Sequence, residues 1–137
     1  MNVSPLLTRR LLPRLTQFYV ENFEIIPQVS AFLEKGEVEK IGELIDLSHR
    51  NADKFLGNQT AETNFLQSNA QKIGALASSA FGAGFGGSVY ALVKESDAEK
   101  FLGEWRKNYL NNFPQHLEKS EFFVTNASES IIYVKQD

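Results

Sequence analysis

Among the residues of this chain, the glycines have the spacing that says most about chemistry. Four of the nine fall within the six residues Gly82 to Gly87. A backbone without Cβ atoms can approach an anion closely, and successive amides in such a stretch can form an anion-binding nest. Gly82, Gly84 and Gly87 satisfy G-x-G-x-x-G, the string of dinucleotide-binding turns, but that use requires a helix to follow. Here the following residues, SVYALV, are β-branched and alternating, and read as a strand. With Val89 the string also fits the glycine loop of protein kinases, whose fold requires downstream H-R-D and D-F-G sequences. Neither is present, and the nearest echo, His49-Arg50-Asn51, lies upstream. No Lys-Ser/Thr pair follows the glycines, which excludes a Walker loop. Spacing alone therefore leaves two readings open: a ligand-approaching loop, and a bare turn where another backbone comes close.

Other candidate chemistry is sparse. The chain has no cysteine, so it has neither disulfides nor a thiol nucleophile or ligand. His49 and His116 lie far apart with no H-E-x-x-H or carboxylate spacing around them, and read as surface or capping histidines. Ser78, Ser79 and Ser88 lack the G-x-S-x-G elbow of a hydrolase nucleophile. Arg9, Arg10 and Arg14 form a small basic cluster that reads as a solvated helix face. No catalytic residue and no metal site is assigned from the sequence.

The elements that must position the glycines follow from periodicity. From about Leu6 to Leu33, Leu15, Phe18, Tyr19, Phe23, Ile26, Val29, Phe32 and Leu33 recur at helical spacing. Pro13 suits the first turn of that helix, Pro27 should distort it, and Gly36 should end it. A second helix is expected from about Glu37 to Leu56, ended by Gly57. A third opens at Thr60 as N-cap, with Glu62 beside its positive end, and stops at Gly74. The side chains then become small, and SVYALVK reads as a strand with Val89, Ala91 and Val93 on one side and Tyr90 and Leu92 on the other. Ser96 should cap a fourth helix reaching about Phe113, with Phe101, Leu102, Trp105, Tyr109 and Leu110 on its buried face. EFFVTN and SIIYVKQ complete the chain as β-like stretches. The order ααα-ββ-α-ββ predicts an α+β fold with helices on a small antiparallel sheet of four segments.

Length and composition agree with this reading. The 137 residues suit one domain, and 42% are hydrophobic. The net charge of −3 argues against nonspecific binding to nucleic acid or an anionic membrane. No apolar run approaches the ~18–20 residues of a membrane span, and the start of the chain lacks a signal-peptide core. Such a chain is expected in the cytoplasm.

The context of the glycines narrows their meaning. GALASSAFGAGFGGSVYALV resembles the third signature motif of the GHMP kinase superfamily (galactokinase, homoserine, mevalonate and phosphomevalonate kinases) in its galactokinase form, where a short strand, a G-x-G-F-G-G loop and a hydrophobic strand follow one another. NFEIIPQVSAFLEKGEVEKIGELIDLSHRN is similar to the helix pair preceding that motif, with Ser48-His49 in its usual place. GNQTAETNFL is similar to the segment opening the next helix, with Glu62 as its acidic residue. The resemblance runs from about Leu12 to Val134. It implies the ferredoxin-like C-terminal domain of a sugar kinase that moves the γ-phosphoryl group of ATP to a sugar hydroxyl. Ser79, Gly82, Ala83, Gly84, Phe85, Gly86 and Gly87 would then line the substrate and nucleotide cleft, and ATP and Mg²⁺ would serve the complete kinase.

Two departures shape the expectation. Ser79, Ala80 and Phe81 stand where galactokinases usually carry a basic, an aliphatic and a hydroxyl residue. The family's nucleotide motif, Pro-x-x-x-Gly-Leu-x-Ser-Ser, does not occur in these 137 residues, nor does the half with the catalytic Asp. Phosphoryl transfer depends on positioning and charge stabilisation by groups from both halves. The chain alone is therefore expected to be inactive, to bind nucleotide only weakly, and to need an N-terminal kinase domain as partner. The surface around Phe81 and Phe85 would be exposed without that partner and could self-associate. The rival reading is a free-standing, non-catalytic binding or regulatory module of the same fold.

Overall fold

The computed structural model describes residues 5–127, with side-chain surroundings from residue 11 onward. Helices α1 (Pro5–Val20) and α2 (Ile26–Glu34) form one continuous helical run joined by a π-helical turn, Glu21–Ile25. Pro27 lacks an N–H and its ring crowds the carbonyl one turn back. The ladder widens just upstream, where the Ile26 N–H donates to Glu21 O. The expected distortion at Pro27 thus takes the form of a π turn. Pro13 lies inside α1 and does not open it.

The second expected helix is interrupted. A 3₁₀ turn, Val38–Lys40, precedes α3 (Gly42–Asn51), and a π turn, Ala52–Leu56, carries the chain to Gly57. Gly57 adopts the left-handed conformation, φ 61°, and its N–H bonds to the carbonyls of Ala52 and Asp53. Gly42 is the first residue of α3, and a Cβ there would overlap the carbonyl oxygen of Leu76. Its bareness lets α3 approach the chain entering the sheet.

Helix α4 (Ala61–Lys72) begins as the sequence predicts. Thr60 and Thr63 form a reciprocal capping box: the Thr63 N–H donates to Thr60 Oγ1 at 3.3 Å and the Thr60 N–H to Thr63 Oγ1 at 2.9 Å. A cap of this kind contributes ~1 kcal/mol. Helix α5 (Ala98–Asn112) follows a 3₁₀ turn, Glu95–Asp97. Ser96 lies within that turn and does not cap α5; the N-cap position is Asp97, which makes no side-chain cap.

The sheet pairs β1 (Ala77–Ala80) with β2 (Val89–Leu92), antiparallel, with Ala77 opposite Leu92 and Ala80 opposite Val89. Ala70 of α4 and Phe101 and Trp105 of α5 form the buried centre, against which Val89, Ala91 and Val93 pack. The indole Nε1–H of Trp105 donates to Leu66 O at 3.0 Å, tying α5 to α4. This is the face the strand alternation predicts. Helices on a small antiparallel sheet are therefore observed, but the sheet has two strands among the described residues. Among the described residues the stretch 121–126 pairs with no strand, and Phe122 packs edge-on against Trp105, ring centroids 5.7 Å apart. SIIYVKQ lies outside the described residues. No helix among the described residues is long and apolar enough to cross a membrane.

Candidate functional site

The glycine-rich loop joins β1 to β2. Its neck is closed by the Phe81 N–H donating to Ser88 O at 2.8 Å. Within it Gly82, Gly84, Gly86 and Gly87 all have positive φ, at 66°, 80°, 107° and 94°, and Phe85 joins them at 63°. A left-handed non-glycine residue costs on the order of 1–3 kcal/mol and persists only where its surroundings over-determine it. The surroundings here are Asn58. The Phe85 N–H donates to the Asn58 carbonyl, and Asn58 Nδ2 donates to Ala83 O at 2.9 Å. Gly84 lies between these bonds, and a Cβ on it would overlap the Asn58 carbonyl oxygen and come within 2.7 Å of the Asn58 side-chain amide.

Within the described residues, no carbonyl or side chain accepts the N–H groups of Gly82, Gly84, Gly86 or Gly87. Phe81 and Phe85 flank them as exposed rings, 57% and 75% accessible. Phe81 leans on Tyr90 of β2, centroids 4.9 Å apart. Burial, then the nearby Glu21 carboxylate, raises the Tyr90 hydroxyl above its ordinary pKa.

Beneath the loop stands His49 of α3, only 3% exposed. This corrects the surface or capping role expected for it. The Ala80 N–H points to His49 Nδ1 at 3.4 Å, and His49 Nε2 lies 2.9 Å from Asn64 Oδ1. A backbone amide can only donate, so Nδ1 accepts and the ring proton sits on Nε2, facing Asn64. The neutral ring is tolerated in the interior because both nitrogens have partners. Ser79 Oγ lies 3.5 Å from the same Nδ1. Ser79 thus lies at the loop's base, against α3, while residues 82–87 form the tip. Ser78 Oγ donates to Tyr90 O at 2.7 Å and is fully buried within the hairpin.

His116 lies apart from the loop. It stacks on Tyr109 and approaches Glu62 Oε1 at 3.4 Å. The Glu62 carboxyl is held below the ordinary carboxylate range, first by its own backbone N–H at the start of α4, then by the Thr60 hydroxyl and His116. Arg14 is exposed, as a solvated helix face requires; the side chains of Arg9 and Arg10 lie outside those described.

The sequence reading found the glycines and missed their support. Asn58, His49 and Asn64 reach the hairpin or one another across long sequence separations, and Gln59 bonds to its neighbour Asn58. The one local sign was Asn58 itself, a polar residue between the helix stop at Gly57 and the cap at Thr60.

A family model described as GHMP kinases C terminal matches residues 29–111, more than half of the chain. The chain belongs to this family. As a GHMP kinase C-terminal domain it is similar to the galactokinase of Thermococcus kodakarensis, 34% identical over 100 residues, covering 73% of this chain and 28% of the relative. It is also similar to the galactokinase of Pyrococcus furiosus, 29% identical over 111 residues, covering 81% and 30%. Among solved structures, the crystal structure of Lactococcus lactis galactokinase complexed with galactose superposes with a TM-score of 0.61 at 28% identity, covering 64% of this chain and 23% of that one. The chain thus spans less than a third of the length of these relatives, as one domain of a galactokinase-like architecture.

The donor set suits phosphate oxygens better than a metal. Unpaired amides on a left-handed turn are anion-binding groups. No three metal-ligating side chains converge among the described residues.

Proposed function

We propose that this domain supplies one wall of the active-site cleft of a galactokinase-like sugar kinase. Residues Gly82, Ala83, Gly84, Phe85, Gly86 and Gly87 form the part that approaches substrate and phosphate, with Ser79 at its base. The observation that carries the reading is the exposed hairpin tip, left-handed at five positions, with its glycine amides free. In phosphoryl transfer the protein mainly positions the reactants and offsets charge, and fixed backbone dipoles do this without reorganising during the reaction. The residues present do not fit a Mg²⁺ site, so the metal and the nucleotide motif belong to an N-terminal kinase domain that acts as partner. That partner would cover the exposed Phe81 and Phe85; in its absence the same surface supports self-association at high concentration. The complete enzyme would use ATP and a sugar in the cytoplasm.

The test is turnover and nucleotide affinity of the 137-residue chain. Purified chain with galactose, ATP and Mg²⁺ should show no turnover approaching ~1 s⁻¹, the low end for ordinary enzymes, and calorimetry should show only weak ATP binding. Turnover by the chain alone contradicts the assignment. Low-micromolar ATP affinity without turnover favours the rival, a free-standing binding module.

A further inference from the structure

We infer that Asn58 is the positioning residue of the glycine-rich loop, holding its tip in the left-handed conformation that leaves the glycine amides free for a phosphate-bearing ligand; the inference rests on the reading of the loop given above. Three consecutive loop residues touch this one residue. Its side-chain amide donates to Ala83 O, its main-chain carbonyl accepts the Phe85 N–H, and Gly84 is bare against both groups. Within the described residues, no other side chain hydrogen-bonds to residues 82–87.

The orientation of the amide follows from its neighbour. Gln59 Nε2 donates to Asn58 Oδ1 at 3.0 Å, which leaves Nδ2 as the group facing the Ala83 carbonyl, donor to acceptor. Asn58 is 8% exposed, so its hydrogen bonds compete little with water. The residue is itself immobilised: Gly57 ends the α3 run with a left-handed cap on one side, and the Thr60–Thr63 box fixes the start of α4 on the other. The loop tip therefore takes its position from the rigid α3–α4 connection, which the β1–β2 strands alone would not impose. Asn58 also satisfies only Ala83 O and the Phe85 N–H, leaving the glycine donors unpaired.

Amide hydrogen exchange by NMR on the 137-residue chain tests this, with Asn58→Leu as a neutral variant of similar size that lacks the donor. The Phe85 amide, the tip N–H that the Asn58 carbonyl accepts, should exchange at least tenfold faster, while those of Trp105 and Tyr109 in α5 stay within twofold. Asn108→Leu, which removes the remote Asn108–Asn69 bond, should leave the loop amides unchanged. Titration with Mg²⁺·ATP should shift the loop glycines of the parent and require at least fivefold more nucleotide in Asn58→Leu. Unchanged Phe85 exchange in Asn58→Leu overturns the inference, as does faster exchange with undiminished nucleotide response. If the parent loop does not respond to nucleotide, the phosphate reading of the isolated chain fails, while the exchange comparison still decides whether Asn58 holds the tip. Should Asn58→Leu not fold, the parent suffices: one side-chain amide proton of Asn58 should exchange at least tenfold slower than those of exposed Asn111, and equal rates overturn the inference.

Discussion

The two ends of the β1–β2 hairpin are held by different physics. Along the strands, Val89, Ala91 and Val93 lie against Ala70, Phe101 and Trp105, and position is set by apolar burial spread over many contacts. At the loop, position is set by a few directed bonds, from Asn58 to the tip and from His49 to the base, and by glycines where a Cβ cannot fit. The first arrangement tolerates small changes of shape. The second does not, because a single lost donor or added methyl has no neighbour that can compensate. A rigid packed end carrying an exposed, hydrogen-bonded tip is what a cleft wall requires, since preorganised groups serve a ligand only if the scaffold below them does not yield.

That contrast can be tested from both ends. Trp105→Ala should have the largest effect, about 3–5 kcal/mol of lost stability for deleting a buried indole, together with the loss of its bond to Leu66 O; urea denaturation would measure it, and a loss under 1 kcal/mol would mean that α5 is not central to the core. Gly84→Ala should cost about 2–3 kcal/mol, more than the ~1 kcal/mol of ordinary glycine replacements, because left-handed strain adds to the displaced Asn58 contact. A thermal melt matching the parent would show that the loop is only a turn. Gly103 is the control: it lies inside α5 with nothing within 4 Å of a Cβ, so Gly103→Ala should be neutral or raise stability by up to ~1 kcal/mol.

The smallest effect concerns pH. The Glu62 carboxyl is held down by the backbone N–H at the start of α4, then by Thr60 and His116, so its folded pKa lies below the ordinary value of 4.5. A group depressed in the folded state stabilises above its unfolded pKa and loses that contribution as pH falls through the folded value. Glu62→Gln should therefore lower the melting temperature slightly at neutral pH and converge with the parent below pH 4.5. A difference that persisted unchanged into acid would assign the effect to packing.

What was legible in the sequence divides along the same line. Helix α4, its cap at Thr60, the buried face of α5 and the sidedness of β2 could be read because each depends on residues a few positions apart. The glycine loop could be read because positive φ favours glycine, and four of its five positive-φ positions carry one. The close approach of Gly42 to Leu76 could not be read, since the two are brought together only by the fold. EFFVTN has strand composition and its Phe122 packs against Trp105, while the next β-like stretch, SIIYVKQ, lies outside the described residues. His49 looked solitary because its partners Asn64 and Ala80 are brought to it only by the fold. The apolar period of the α1–α2 run was also visible, but Leu15, Phe18 and Phe23 are more than half exposed. Periodicity reports a helix with one apolar face and does not report what covers that face.

The most direct measurement of the central claim is the turnover of a complete kinase built by joining this chain to the N-terminal part of a galactokinase such as that of Thermococcus kodakarensis. Galactose-dependent ADP formation would be compared between the parent chimera and its Gly84→Ala and Gly103→Ala forms, at a temperature where all three remain folded. With the loop as cleft wall, Gly84→Ala should lower kcat/KM at least tenfold and Gly103→Ala should leave it unchanged. Equal turnover by the Gly84→Ala chimera and its parent would contradict the assignment of residues 82–87 to the cleft.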